Sequence, residues 1–204
     1  MASDSRARMV RSAASLIRSR GMSATSFSDV LADSGAPRGS IYHHFPNGKA
    51  QLAEDAVRWT SERVVAHLRA GKATTPSDVL ERFIDLWRQV VLASAGTAGC
   101  VVAGVAIDTA AGDRDLIELV QATFRTWASV LAEQLEAAGV QSNRAAPIAM
   151  ATLAGMEGAL ILCRAEGDSK PLDIVAEELM RLLPNPPRTK SAAWHARDRS
   201  VGEP

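Results

Sequence analysis

Gly35-Ala36-Pro37-Arg38-Gly39-Ser40-Ile41-Tyr42-His43-His44-Phe45-Pro46-Asn47-Gly48-Lys49 is the stretch on which the reading of this chain turns. Gly35 suits the end of a short helix, because a left-handed residue there costs glycine little. Pro37 suits the first turn of the next helix, where a missing N–H forfeits no bond. That second helix is expected to run to about His44 and to stop in the turn Phe45-Pro46-Asn47-Gly48. Upstream, Phe27, Val30 and Leu31 give the preceding helix an apolar stripe. Two short helices joined by a glycine-bearing turn make a helix-turn-helix, whose second helix can lie in the DNA major groove. Ile41 and Phe45, one turn apart, are expected to face the core. Arg38, Ser40, Tyr42 and His43 then offer hydrogen-bonding groups outward, and Gly39 lets the backbone approach a neighbour closely.

The flanking sequence fits this placement. Residues 4–20 have Met9, Val10, Ala13, Leu16 and Ile17 at helical spacing with arginines at 6, 8, 11, 18 and 20 around them, and Gly21 stops the run. Those arginines read as a solvated face, with Arg18 and Arg20 also favourable at a helix C-terminus. Arg6 and Arg8 are candidates to meet a DNA backbone. Thr25 or Ser26 is expected to cap the helix that follows, and such an N-terminus also attracts a phosphate. The whole chain is neutral, with 23 basic and 23 acidic side chains. Residues 1–49, however, carry seven basic and three acidic groups, while 50–183 carry twelve and eighteen. A basic head on an acidic body is the pattern of a protein whose head alone meets phosphates.

Gly35, Gly39, Tyr42, His44, Phe45, Lys49 and Leu52 resemble the signature of the TetR family of bacterial transcriptional repressors. The string from Ser34 to Lys49 is most similar to the LmrA/YxaF-like branch. Leu31, in place of a small alanine, and Pro37, in place of a hydroxyl residue, depart from the broader pattern. The resemblance implies an all-α protein: a three-helix DNA-binding head (residues 1–49) joined to a larger helical ligand-binding and dimerisation body (50–183). It also implies that Thr25, Ser26, Tyr42, His44 and Lys49 hold the DNA backbone and that Arg38, Gly39, Ser40 and His43 face base edges.

Composition agrees with an all-helical chain, since 47% of residues are apolar, many of them alanine and leucine, with few β-branched runs. Lys49 to about Ala70 reads as a long helix passing from head to body. Pro76 opens another, with Val79, Leu80, Phe83, Trp87, Val90 and Val91 on one face. Cys100–Ala111 is apolar and short enough to be a buried strand or a buried helix, and the resemblance favours the helix. Asp113 is expected to cap a helix from Arg114 to Ala138. Ala145–Cys163 is apolar on nearly every side, with Thr152 and Glu157 its polar exceptions. Its alanine content and central glutamate argue against a membrane span and for burial, part of it against a second subunit. Ala151, Gly155, Gly158, Ala159 and Leu162, with Ile174 and Leu179 on a last helix at 172–183, are the expected homodimer interface, a four-helix contact as in the family.

Three tryptophans in a body with few other aromatics suggest a pocket. Trp59, Phe83, Trp87, Phe124, Trp127, Met150 and Met156 are its candidate apolar lining and Glu157 a candidate orienting group for a flat apolar effector. Enzyme motifs are absent: no Gly-x-Ser-x-Gly elbow, no His-Glu-x-x-His and no phosphate loop. His43 and His44 point about 100° apart on a helix, which disfavours a shared metal, so neither metal nor cofactor is expected. Cys100 and Cys163 read as buried free thiols. The N-terminus lacks the apolar core of a signal peptide, and a cytoplasmic protein is expected. Residues 184–204, with Trp194, read as a disordered proline-bearing tail. The leading expectation is a homodimeric repressor of a pseudo-palindromic operator, released by a small effector. An activator with the same head and a helical interaction module without DNA binding are the other readings.

Overall fold

Helix starts and stops follow local chemistry through most of the chain. The computed structural model describes residues 2–71, 73–109 and 113–184. Here α1 (Ala2–Arg20) stops at Gly21, which sits at φ 86° and returns its N–H to the Ile17 carbonyl. Ser26, not Thr25, caps α2 (Phe27–Ser34). The Asp29 N–H donates to the Ser26 hydroxyl and the Ser26 N–H to the Asp29 carboxylate, so two amides with no helical partner are satisfied reciprocally. Gly35, at φ 63°, closes α2 as expected.

The recognition helix α3 (Ser40–His44) starts three residues later than Pro37 suggests. Pro37-Arg38-Gly39 forms a turn, in which the Ser40 N–H and hydroxyl both donate to the Pro37 carbonyl. Pro37 therefore sets up the turn that launches the helix and is not its first residue.

The body begins with α4 (Gly48–Arg69) and α5 (Pro76–Ala93). A second reciprocal cap, between Thr75 and Asp78, starts α5, with Pro76 in the first turn. Donors from Thr74 and Thr75 hold the Asp78 carboxyl down at about 2. The segment that periodicity leaves open and the resemblance reads as a helix is a helix, α6 (Val101–Asp108), with Val101, Val102 and Val105 buried; Ala110 and Ala111 lie outside the described residues. Then come α7 (Arg114–Ala137), capped by Asp113 as expected, α8 (Ser142–Glu166) and α9 (Lys170–Met180). Among the described residues there are nine helices and no strand. The tail from residue 185 onward, Trp194 included, lies outside them.

Met9, Ala13, Val30, Ile41 and Phe45 are fully buried where α1, α2 and α3 meet, so the inward pair Ile41 and Phe45 does face the core. Helix α1 also lies against α4 and α6, which makes it the head helix most in contact with the body. In the body, α8 packs against α5, α7 and α9. By length and composition it could cross a membrane, but just under half of its most apolar stretch is buried among those neighbours. Burial on every side is not what α8 shows. Pro147, Met150, Ala154, Gly158, Ile161 and Leu162 recur at helical spacing along one exposed face.

Candidate nucleic-acid interface and ligand cleft

Buried residues fix the outward face of α3. With Ile41 and Phe45 at zero exposure, the intervening Tyr42 and His43 must point out, and Tyr42 is 70% exposed. Its ring is braced edge-on by Phe27 from α2, with centroids 5.7 Å apart, which steadies a side chain that solvent would leave mobile. Arg38 and Gly39 are exposed in the launching turn. Ser40 is half-buried, its hydroxyl donating to Pro37. His44 is half-buried beside the Phe45 ring. Lys49, in the first turn of α4, reaches back so that its Nζ donates to the Ser23 carbonyl at 3.0 Å, bringing a positive charge to the loop before α2.

Two expected backbone-contacting groups are committed elsewhere. Thr25 is buried, and its hydroxyl donates to the Gly21 carbonyl at 2.8 Å, bracing the loop from inside. Arg6 pairs with Asp55 of α4 at 2.5 Å and lies over the Phe45 ring, so it ties α1 to α4. Ser26 stays exposed at the start of α2 with its hydroxyl shared with Asp29.

The proposed effector residues split into four groups. Phe83, Trp127 and Met156 are buried core. The aromatics form a packed chain, Phe83 to Trp87 to Trp127 at centroid spacings of 6.1 and 6.0 Å, with half-buried Phe124 edge-on to Trp127 at 5.8 Å. Rings stacked on one another leave no room for a guest between them. Met150 is 54% exposed on the open face of α8. Half-buried Trp59, and an edge of the otherwise buried Trp87, do border open space, a cleft of about 410 Å³ between α1, α4 and α5. Its other walls include Arg11, Ser15, Arg18 and Arg63, which the sequence reading left as surface charge or did not weigh. Their spacing was the available signal: 11, 15 and 18 share one face of α1, as 59, 63 and 67 do of α4. Glu157 lines a smaller cavity of about 190 Å³ between α1, α6 and α8. Burial pushes its carboxyl up to about 7, against a smaller downward pull from the Cys100 thiol. Burial, with Glu157 beside it, raises the Cys100 thiol well above its ordinary value, so it is a poor nucleophile. Cys100 and Cys163 are both buried and free, as expected.

The proposed interface residues also divide. Ala159 and Leu179 are buried within the protomer, and Gly155 lies against Val175 and Leu179 of its own α9, so Gly155 and Leu179 join α8 to α9. A Cβ at Gly155 would stand 3.3–3.4 Å from those side chains, which explains the small residue without a second subunit. Ala151 is half-buried. Gly158, Leu162 and Ile174 are exposed, alongside Met150 and Ile161. Among the described residues, no atom outside its own stretch of helix lies within 4 Å of a Cβ placed at Gly158.

Comparison with known proteins agrees with these features. Residues 10–56 match the bacterial regulatory proteins of the tetR family, and residues 76–178 match the C-terminal domain of LmrA/YxaF-like transcriptional regulators. An uncharacterised HTH-type transcriptional regulator of Mycobacterium tuberculosis is 40% identical over 185 residues, 87% of this chain and 93% of its own length. The chain belongs to the TetR family. The HTH-type transcriptional regulator LmrA of Bacillus subtilis is 29% identical over 171 residues, 83% of this chain and 91% of LmrA. Among solved structures, a TetR transcriptional regulator from Legionella pneumophila has a TM-score of 0.79 at 22% identity, covering 87% of this chain and 96% of that one, a likeness of fold. The protein is thus a transcriptional regulator with a helix-turn-helix DNA-binding head.

In this TetR-family chain, α6 is the joint between head and body. At its start, the Gly99 N–H donates to the Arg18 carbonyl at 2.8 Å, completing the end of α1. Along its length, Gly104 lies so close to Ile17 that a Cβ would stand 3.3 Å from the Ile17 carbonyl oxygen. At its end, Asp108 accepts a hydrogen bond from the Ser23 N–H at 2.8 Å, in the loop before α2. Both ends of one short body helix are hydrogen-bonded to the head.

Proposed function

We propose that this regulator is a homodimeric repressor that leaves a pseudo-palindromic operator when a small apolar or aromatic effector enters its body, with residues 1–49 as the DNA-binding head and 50–183 as the body. The observation that carries the proposal is the pairing of two outward faces on one chain: the Arg38–His43 face of α3 and the apolar stripe of α8 with Ile174 of α9. A stripe of this kind on a soluble helix is stable when a copy of itself covers it, and a twofold contact then sets the distance between two recognition helices. The operator half-sites would lie about 34 Å apart, one turn of the duplex. Arg38, Tyr42, His43 and Gly39 meet base edges and phosphates, Lys49 and the start of α2 hold the backbone, and Thr25 acts by bracing the loop. The effector acts by favouring a placement of α6 that suits the body and misplaces the heads, which requires unequal affinity for the two placements.

The test is gel retardation of the DNA immediately upstream of the coding region by purified protein, with Arg38→Ala and Tyr42→Phe as variants. The parent is expected to retard that DNA at moderate salt. Arg38→Ala occurs twice per dimer, so at about 1–3 kcal/mol per contact it is expected to weaken binding at least 30-fold. Both variants should keep the parent's helix content and oligomeric state, because both side chains are exposed. Absence of retardation by the parent at any salt, or parent-like binding by Arg38→Ala, would overturn the proposal.

A further inference from the structure

The cleft between α1, α4 and α5 has a charge pattern that an uncharged guest does not explain. Arg11 and Arg18 from α1 and Arg63 from α4 border it, and no carboxylate does. Ion pairs among the described residues belong to Arg6, Arg8, Arg20, Arg88 and Arg181, so none serves these three. Like charges gathered round a concave, partly desolvated space repel one another. Burial lowers the pKa of Arg18, with Arg63 adding to that shift and the Cys100 thiol opposing it, which is in keeping with the same unfavourable setting. Two of the wall's donors are also orphaned: Arg18 Nε and Trp87 Nε1 are buried without a hydrogen-bond partner among the described residues. A buried donor left unpaired costs about 1–3 kcal/mol and calls for an explanation in a native fold. Arg63 lies over the Trp59 ring at 4.9 Å, which makes one wall flat and cationic.

We infer that this cleft is the binding site for a small organic anion, an aromatic ring bearing a carboxylate or another acidic group. The ring lies along Trp59 and Trp87, and the acidic group is held by the guanidinium groups of Arg18 and Arg63, with Arg11 at the rim. Guanidinium groups take such oxygens in charge-assisted bonds, and an indole N–H is a donor with no acceptor of its own. The inference deepens the proposed effector response by naming the effector's charge. It also gives that response a route: the walls come from α1 of the head and from α4 and α5 of the body, so one ligand touches both. Arg18 belongs to both systems, since its carbonyl receives the Gly99 N–H that joins α6 to α1.

The experiment is a fluorescence titration of the full chain with a matched pair of probes, anilinonaphthalene sulfonate and the uncharged phenylnaphthylamine, with naphthoate as a second anion measured by calorimetry. One anion per protomer is expected, held at least tenfold more tightly than the neutral probe. Arg63→Gln and Arg18→Gln should each weaken the anions at least tenfold, the equivalent of about 1.4 kcal/mol, and leave the neutral probe unchanged. Arg63 is exposed, so its variant tests the site even if the partly buried Arg18→Gln fails to fold. Equal affinity for charged and neutral probes, anion binding indifferent to Arg63→Gln, or no anion binding below about 1 mM would each overturn the inference. Upstream DNA is tested with the same preparation. Protein that retards DNA but fails the anion titrations removes this site and leaves the repressor; protein that passes them but retards no DNA keeps the site and removes the repressor.

Discussion

Replacing Gly21 with alanine tests the joint between α6 and the head at one atom. Gly21 has φ 86°, a left-handed conformation that costs a residue with a Cβ about 1–2 kcal/mol. A Cβ there would also stand 2.7 Å from Asp108 Oδ2, too close for contact. The carboxylate is the end of a flexible side chain and can swing away, but it then gives up its bond from the Ser23 N–H. That bond is solvent-exposed, so its loss is set at about 1 kcal/mol, below the usual range for a charged acceptor. Gly21→Ala is therefore expected to destabilise the parent by about 2–3 kcal/mol, but an Asp108→Ala background by only the backbone part, about 1–2 kcal/mol. The assay is urea unfolding of all four proteins at one protein concentration, with midpoints compared at equal slope. The difference between the two costs, about 1 kcal/mol, is the coupling across the joint. Equal costs in both backgrounds would show that the Asp108 carboxylate does not feel the added methyl, and the account of this joint would fail.

Met150→Asp and Leu162→Asp place charges on the open stripe of α8; each is expected to weaken self-association at least 100-fold, because symmetry buries the charge twice, while circular dichroism stays unchanged. Sedimentation showing a parent-like dimer would contradict this. Glu157 keeps its proton in the folded state up to about pH 7, whereas its ordinary value is 4.5. It therefore weakens the fold increasingly as pH rises from 4.5 to 7, and not at all below that range. Glu157→Gln should match the parent near pH 4.5 and exceed it by up to about 2–3 kcal/mol at pH 7 and above; a gap that does not change with pH would refute the raised carboxyl.

Elements with strong periodicity and local punctuation are legible in the sequence alone. The helices α4, α5 and α7 fall within a residue or so of their expected bounds because their apolar faces, and in α5 and α7 the side-chain caps, agree. The recognition helix was misjudged at its start, since Pro37 is equally at home in the turn that precedes a helix. Segment 100–111 has no polar residue until Asp108, so neither period shows in it; the resemblance alone favours a helix there, and packing against α1, α4 and α7 holds it. The body was harder still. Trp127, Phe83 and Met156 are the same residue types whether they line a pocket or fill a core, and only their mutual stacking distinguishes the two. On α8, small and apolar residues occupy both the inner and the outer faces, so the sequence did not reveal that Ala159 turns inward and Met150 outward. The cleft arginines were missed because an arginine on an amphipathic helix ordinarily belongs to solvent, and α5 supplies the opposite wall from a distant part of the chain.

The two reciprocal caps, Ser26 with Asp29 and Thr75 with Asp78, have a consequence for how the molecule can move. In each, both partners lie within three residues, so neither latch spans the boundary between head and body. A swing of the head against the body strains the long-range bonds at Gly99 and Asp108 but leaves these starting points intact. Motion can then be rigid-bodied, with helices that tilt without fraying.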